Sequence, residues 1–371
     1  MNAVMERGER VKERLKGKEP MTGFVINEIP TGYLFFGDYT KGKLETLSIG
    51  DYGKEKNVKA DFLGYNKPIN GVPNGACKPL TEKWVTTLSS QYGCSMNCTF
   101  CDVPKIKFNG NVGFEDLKKQ LYNAIELFPQ IKYTERLNIH FARMGEPIFN
   151  ENVFLFSKWL SEHKFKLYED TGLRVEVIHP VLSTSVPKYK KIEQRLIDWC
   201  DIKNYYFNGQ AGLQLSINST SEEQRNKMFR GKQLSLEEIA KIGEKFPVPL
   251  SRKYTLNFAY ASDFIVDASV LRELFDPEKF MVKITPIHNN IACIENNIKT
   301  IEGYESYAPY QQVEDELIKV GFDVLVFVPS FDEENGLVTC GNLVLSGSSI
   351  KTKSGKLNIE GVSRNERKIE R

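Results

Sequence analysis

No stretch of this chain approaches the roughly 18 consecutive apolar residues that a membrane-crossing helix needs. Its first eighteen residues, MNAVMERGERVKERLKGK, carry charge where a secretory signal would carry an apolar core. A cytoplasmic location is therefore expected, with no membrane partner. A strong charge of either sign is missing too: 50 Lys and Arg stand against 48 Asp and Glu, for a net charge of +2. No global field marks the molecule for nucleic acid. Basic residues gather only in the tail, at Lys351, Lys353, Lys356, Arg364, Arg367, Lys368 and Arg371, which reads as a solvated end. Cysteine is scarce and odd in number, at seven. Without a secretory signal, such cysteines are read as metal-binding or reactive thiols before disulfides.

The order of elements follows from hydrophobic period and breakers. A helix is expected up to Leu15, and then short alternating runs, GFVINEI, YLFFGDY, KLETLSI and VKADFLGY, separated by Pro30, Gly32, Gly42 and the Gly50 to Gly53 turn. These define a small β-rich accessory domain over residues 1–80, joined through the connector NKPINGVPNGACKPL. From Trp84 onward, strand patterns (WVTTLSS, LNIHFAR, RVEVIHPVLS, LQLSI, YTLNFAY, MVKITPI, DVLVFVP) alternate with amphipathic helical stretches such as FEDLKKQLYNAIELF, ENVFLFSKWLSEHKF and PYQQVEDELIKVG. Such alternation makes an α/β fold with a parallel sheet. Successive strands end in the cysteine loop, MGEP, STS, NSTS, ASD and HNN. Polar turns at every strand end suit strands feeding one site at the C-terminal rim of a barrel rather than a doubly wound sheet. The expected core is a partial (β/α)6 barrel over 81–330, with a short C-terminal extension over 331–371.

The chemistry is concentrated in QYGCSMNCTFC, where Cys94, Cys98 and Cys101 make C-x3-C-x2-C and Phe100 precedes the last thiol. Three thiolates on one loop leave a four-iron cubane with one iron lacking a protein ligand. That open iron can chelate the amino and carboxylate groups of S-adenosylmethionine and reduce its sulfonium. A structural zinc site would want a fourth cysteine or histidine, and none lies nearby. Three coincidental buried thiols would not be expected immediately after the first strand of a β/α series. The expected metal ligands are thus Cys94, Cys98 and Cys101 of a [4Fe-4S] cluster, with S-adenosylmethionine as the second cofactor. Gly145 admits close backbone approach, and Glu146 offers an acceptor for an ammonium group. Ser183, Ser185, Ser216 and Asn218 offer small hydrogen-bonding groups at the next strand ends, although capping alone would also use them. Asn289 and Asn290 are weaker candidates.

Taken in order, SSQYGCSMNCTFC, KFNGNV, RMGEPIFN, LSTSVP, LQLSINSTSEEQR and TCGNL give the chain a resemblance to the radical S-adenosylmethionine methyltransferases of the RlmN/Cfr type, over about residues 84–347. Members of that family methylate adenosine in ribosomal and transfer RNA. The resemblance implies the radical enzyme's barrel, a cluster on the three cysteines, and cofactor contacts at Gly145, Glu146, Ser183, Ser216, Ile217, Asn218 and Asn290; Phe100 and Ser185, read from their places beside the cluster and at the third strand end, join these as cofactor-site candidates. An external electron donor such as flavodoxin or ferredoxin is implied as well. It also matches Cys340, followed by Gly341 and Asn342, to the family's catalytic thiol, which is methylated by one cofactor molecule before its methyl carbon is turned into a radical that adds to the substrate. By its own residues alone, Cys340 in VTCGNLVL could be a buried core thiol, but its place beyond the last strand and next to Gly341, where a loop could fold over the barrel mouth, argues for a catalytic one.

Two departures stand out. The family resolves its covalent adduct with a second cysteine seven residues before the first cluster ligand, and here that residue is Thr87, whose hydroxyl cannot form a disulfide. The family's upstream glutamate base has no counterpart among Lys67 to Pro79. Cys77 or Cys293 could replace the thiol, the product could leave by another route, or Cys340 could have another role. The leading expectation is C-methylation of an sp2 carbon of RNA, a nucleotide or another heterocycle, with an altered resolution step. The alternatives are hydrogen abstraction or rearrangement on a small molecule or peptide, and an iron–sulfur sensing module without turnover. Arg225, Lys227, Arg230 and Lys232 offer phosphate affinity, whereas the acidic and apolar VFVPSFDEENGLVT before Cys340 does not suit an RNA groove.

Overall fold

A computed structural model describes residues 24–29, 32–50, 79–287, 290–300, 308–326 and 344–345. The expected N-terminal helix, the VKADFLGY strand, Cys77, Cys340 and the basic tail lie outside the described residues.

Among the described residues ten strands form one sheet in sequence order: β1 (Phe24–Ile29), β2 (Gly32–Tyr39), β3 (Gly42–Gly50), β4 (Lys83–Leu88), β5 (Tyr133–Phe141), β6 (Arg174–Thr184), β7 (Gly212–Ser216), β8 (Tyr254–Tyr260), β9 (Phe280–Pro286) and β10 (Val324–Val326). The pairs from β1 through β4 are antiparallel, and those from β4 through β10 are parallel. Parallel neighbours require crossovers, supplied by α1 (Phe114–Glu126), α2 (Glu151–Glu162), α3 (Lys164–Thr171), α4 (Ile192–Asp201), α5 (Glu222–Met228), α6 (Leu236–Glu244), α7 (Ala268–Leu274), α8 (Ile291–Glu295) and α9 (Ala308–Lys319). This is the α/β, barrel-like architecture read from the sequence. Between the described strands β1 and β10 no pairing closes it, so the barrel is partial. No helix among the described residues is long and apolar enough to cross a membrane.

The three N-terminal strands continue the barrel sheet: β3 pairs with β4 from Leu47 opposite Thr87 to Gly50 opposite Trp84. They also share its core. α1 starts behind Gly113, with Glu115 and Asp116 in its first turn, and buries Leu117, Gln120, Leu121 and Ala124 against β3 and β4. Ser48 donates to the Ala124 carbonyl at 2.9 Å, and the Trp84 indole donates to Ser48 at 2.9 Å while meeting Phe128 edge-on.

Strand alternation then sorts the residues. Trp84, Leu88, Leu137, Ile139, Phe141, Ile178, Leu182, Leu213, Leu215, Leu256, Phe258, Val282 and Ile284 belong to the main core under the helices. Their sequence neighbours, among them Thr87, Asn138, His140, His179, Ser183, Gln214, Asn257 and Lys283, point the other way, into the barrel. One expected helix divides: His163, at φ −120° and ψ 32°, breaks ENVFLFSKWLSEHKF, and α3 runs on to Gly172 in the left-handed conformation.

Candidate active site

The cysteine loop grows from the C-terminal end of β4 on a buried polar root. Ser89 donates through its N–H to Gln120 Oε1 at 2.8 Å and through its hydroxyl to the Glu45 carbonyl at 2.6 Å. Gln120 returns a bond to the Ser89 carbonyl at 3.1 Å. Gly93 turns the chain at φ 76°, where a Cβ would meet the Ile106 carbonyl at 2.7 Å, and Asn97 takes a second left-handed position at φ 62°. Cys94, Cys98 and Cys101 are half-buried on this loop and in no disulfide. Cys94 and Cys101 pack against the apolar cluster of Leu34, Phe36, Leu47, Val103, Met144 and Val344, and Cys98 and Phe100 against the cluster of Met228, Phe229 and Cys293. Phe100 meets Phe229 edge-on at 5.5 Å.

Burial pushes the Cys94 thiol up to about 11, and raises Cys98 further with the neighbouring Cys94 sulfur. Thiols so placed ionise only when a cation binds them, and metal binding supplies that charge. Among the described residues no group of three His, Cys, Asp or Glu converges on a single metal position. A cubane has its irons at separate corners, so its thiolates stand around it instead of converging. Three cysteines on one loop, with no fourth donor converging on them among the described residues, fit that group better than a mononuclear ion.

The turn after β5 brings Gly145 and Glu146 against the root of this loop. Gly145 has φ 101°, and a Cβ on it would meet Gln91 Cβ at 2.5 Å and Gln91 N at 2.6 Å. Gln91 ties the two loops together, because its Oε1 accepts from the Glu146 N–H at 3.0 Å and from the Ser95 N–H at 3.4 Å. The Glu146 carboxylate, 4% exposed, accepts from the Ser185 N–H at 2.8 Å, the Ser185 hydroxyl at 2.6 Å and the Ile148 N–H at 3.2 Å. Burial raises its pKa, and the Ser185 bonds oppose that rise. The expected pair Glu146 and Ser185 is therefore in direct contact. Val186 beside it holds φ 53°, a strained position for a β-branched residue.

Other expected residues occupy the same rim with different partners. Ser183 donates to Gln214 Oε1 at 3.3 Å on the inward face. The Ser216 carbonyl accepts from the Gln233 amide, and the buried Ile217 carbonyl from Arg225 at 2.6 Å. Asn218, at φ 63°, accepts from the Ala259 N–H at 2.9 Å. Asn290 bridges to the cluster loop, with Nδ2 on the Phe100 carbonyl at 2.9 Å and Oδ1 on the Cys293 N–H at 2.8 Å. Asp102 strengthens that latch by accepting from the Ala292 N–H at 2.8 Å.

Two sequence expectations change. Arg225 is buried and bonded to the Ile217 and Leu234 carbonyls, and burial lowers its pKa to about 10, so it is no part of an exposed phosphate patch. Lys232 donates to the Ser95 carbonyl at 2.7 Å and so braces the cluster loop. Cys293 is fully buried, its thiol raised to about 12 by burial and facing the Phe100 carbonyl at 3.7 Å, which closes it off from resolving an adduct. Sequence reasoning missed Gln91, Asp102 and the buried ion pair of Glu45 with Arg143. It also missed Val344, 8% exposed, whose N–H donates to Glu45 Oε2 at 3.1 Å.

No family model matches the chain. It is 23% identical over 298 residues to the dual-specificity RNA methyltransferase RlmN of Pseudomonas fluorescens (strain SBW25), covering 76% of this chain and 70% of the relative. To the protein of the same name from Pseudomonas entomophila (strain L48) it is 24% identical over 331 residues, covering 83% and 78%. A crystal structure of a radical SAM methyltransferase from Sphaerobacter thermophilus superposes with a TM-score of 0.55 at 16% identity, over 90% of this chain and 85% of that one. The fold is that of a radical S-adenosylmethionine methyltransferase. The relatives indicate an enzyme of that class.

Proposed function

We propose that this enzyme methylates an sp2 carbon of RNA, a nucleotide or another heterocycle through a methylated Cys340, with a resolution step altered at Thr87. The observation that carries this reading is the seat of Val344. It packs in the same apolar cluster as Cys94 and Cys101 and bonds to Glu45. Cys340 is four residues upstream of Val344, and four residues of extended chain span at most about 14 Å. This short sequence separation from Val344 is what supports the reading.

In this reading Cys94, Cys98 and Cys101 hold a [4Fe-4S] cluster. Phe100, Gly145, Glu146, Ser183, Ser185, Ser216, Ile217, Asn218 and Asn290 shape the S-adenosylmethionine site. When bound, these groups would supply a 5′-deoxyadenosyl radical after one-electron reduction by a flavodoxin- or ferredoxin-like donor in the cytoplasm. Glu146, already holding Ser185, orients a carboxylate toward the rim. Asn218 and Asn290 set the loops through backbone bonds. Cys340 would carry the methyl group and deliver its carbon to the substrate.

Mass spectrometry of anaerobically purified protein tests this: one added methyl group on the peptide containing Cys340 is expected. An unmodified Cys340 in protein that still forms 5′-deoxyadenosine would eliminate it. Thr87 favours a second reading, hydrogen abstraction without methyl transfer, because its hydroxyl stands in the resolving position with no hydrogen-bond partner.

A further inference from the structure

The inward face of the parallel strands is more basic than a rim built for cofactor alone requires. Lys83 on β4 stands in register with Arg136 on β5, Thr87 with His140, and Asn138 with His179 on β6. Lys283 on β9 stands beside Asn257 on β8. Arg252, at the entry to β8, reaches the same region: its charge and that of Lys83 bear on both histidines, and Arg136 bears on Arg252 in turn. No inward position of the described residues of β4 to β10 carries Asp or Glu.

A second observation is independent of charge. Asn138, 8% exposed, has a buried Oδ1 without a hydrogen-bond partner, and the Thr87 and Thr285 hydroxyls on the same face are likewise buried and unpartnered. Buried polar atoms normally find partners, so three left open on one face mark a place where a ligand supplies them. Burial and the surrounding cations hold His140 and His179 neutral, down to about 3. An anion between them would reverse that influence and make donors of both rings.

We propose that this inward face binds the anionic group, phosphate or carboxylate, of a small-molecule substrate, held by Lys83, Arg136, Arg252 and Lys283 around Asn138 and His179. The site deepens the proposed function, on which it rests for the reaction alone, by selecting a small anionic substrate over RNA. His179 is 4% exposed and stands beside Asn138 of β5, a setting that suits a terminal anionic group better than a polymer. Guanidinium and ammonium groups together suit an oxyanion, to which Arg can donate in pairs.

The test uses the full-length, cluster-loaded protein labelled in its four histidines, His140, His163, His179 and His288. Inorganic phosphate, citrate, adenosine monophosphate and a short RNA oligonucleotide are titrated while the ring resonances are followed. Saturable shifts of the His140 and His179 rings, with the exposed His163 unmoved, are expected; the phosphate and citrate arms show which oxyanion is preferred. Arg136→Gln at the open edge and Lys283→Met deeper in should each weaken the apparent affinity about tenfold, the order expected for one charged hydrogen bond. Unchanged melting temperatures would show both variants to be folded. Absence of saturable shifts, affinity untouched by both substitutions, or shifts given by RNA alone would overturn the proposal. Release of 5′-deoxyadenosine under dithionite is measured in the same samples. If it fails while anions bind, the radical reading falls and the anion site stands; the reverse removes only the anion site.

Discussion

Replacing Gly145 by alanine tests whether the candidate site is held by the close approach of two loops. The new Cβ would sit 2.5 Å from Gln91 Cβ, 2.6 Å from its Cγ and 2.6 Å from its N, while φ 101° is a conformation that side chains rarely adopt. The backbone penalty is about 1–3 kcal/mol. Gln91 cannot simply swing away, because its N–H is bonded to the Met144 carbonyl at 3.1 Å and its Oε1 accepts from Glu146 at 3.0 Å. Losing one of these bonds adds about 1 kcal/mol, so a total near 3 kcal/mol is expected. Urea denaturation of wild type and Gly145→Ala reads that difference as a shift in midpoint at constant slope. Iron content should persist, since the three cysteines lie on their own loop. Reductive formation of 5′-deoxyadenosine should fall about 100-fold, the scale of an ångström-sized displacement of a positioning group. A variant with wild-type midpoint and wild-type cofactor cleavage would refute the idea that Gln91 and Gly145 lock the cluster loop to Glu146.

Other substitutions probe separate links. Arg143→Met leaves Glu45 buried without its cation and should lower stability by about 3–5 kcal/mol, with part of the loss recovered in the Glu45→Gln, Arg143→Met double variant; calorimetry checks both. Thr87→Cys places a thiol beside Leu47, which packs with Val344, so a disulfide with Cys340 or a gain in turnover is expected, and neither should occur if Cys340 is remote. His179 has its folded pKa lowered from 6.5 to about 3, so below pH 6.5 the unfolded ring takes up a proton that the folded ring refuses. Stability is therefore lost as pH falls from about 6.5 toward 3, by about 2 kcal/mol at pH 5 for this residue. The His179→Gln variant should show a shallower pH dependence than wild type, a comparison in which the opposing contribution of Glu146 cancels.

The parallel sheet was legible because each strand combined period-two alternation with a helical stretch behind it, and nearly all such runs became strands within a few residues of their expected ends. The cysteine loop was legible because three thiols on so short a segment have few alternatives. What did not show was how the loops are tied together. Gln91, Asp102 and Arg143 look like ordinary polar loop residues in one dimension. Their partners Glu146, Ala292 and Glu45 lie 55, 190 and 98 positions away, so only the folded register reveals the bonds. Arg225 shows the opposite failure: a basic residue on an acidic and basic stretch reads as exposed, yet tertiary packing turned it inward onto two carbonyls. The N-terminal strands were read correctly in kind, and their continuity with β4 could not be read because the connector hides the pairing.

Thr87 gains meaning from its surroundings more than from its identity. A structural residue at an inward strand position beside Leu47 and His140 would be best served by valine, which has the same shape and no polar atom to satisfy. The hydroxyl there is buried without a partner, a state that costs about 1–3 kcal/mol when nothing binds it. Asn138 and Thr285 show the same deficit on the same face, near two histidines that burial, with the surrounding cations, holds neutral. One mis-satisfied side chain would be an accident of packing, whereas three on one wall, two threonines and an asparagine beneath the loop that carries the cysteines, support a surface completed by a ligand. Under the proposed function, a hydroxyl at position 87 would bear on what the barrel receives as well as on how the product leaves. Variants at Thr87 should therefore alter substrate affinity together with turnover, and a Thr87→Val enzyme with unchanged KM would show that the hydroxyl touches nothing.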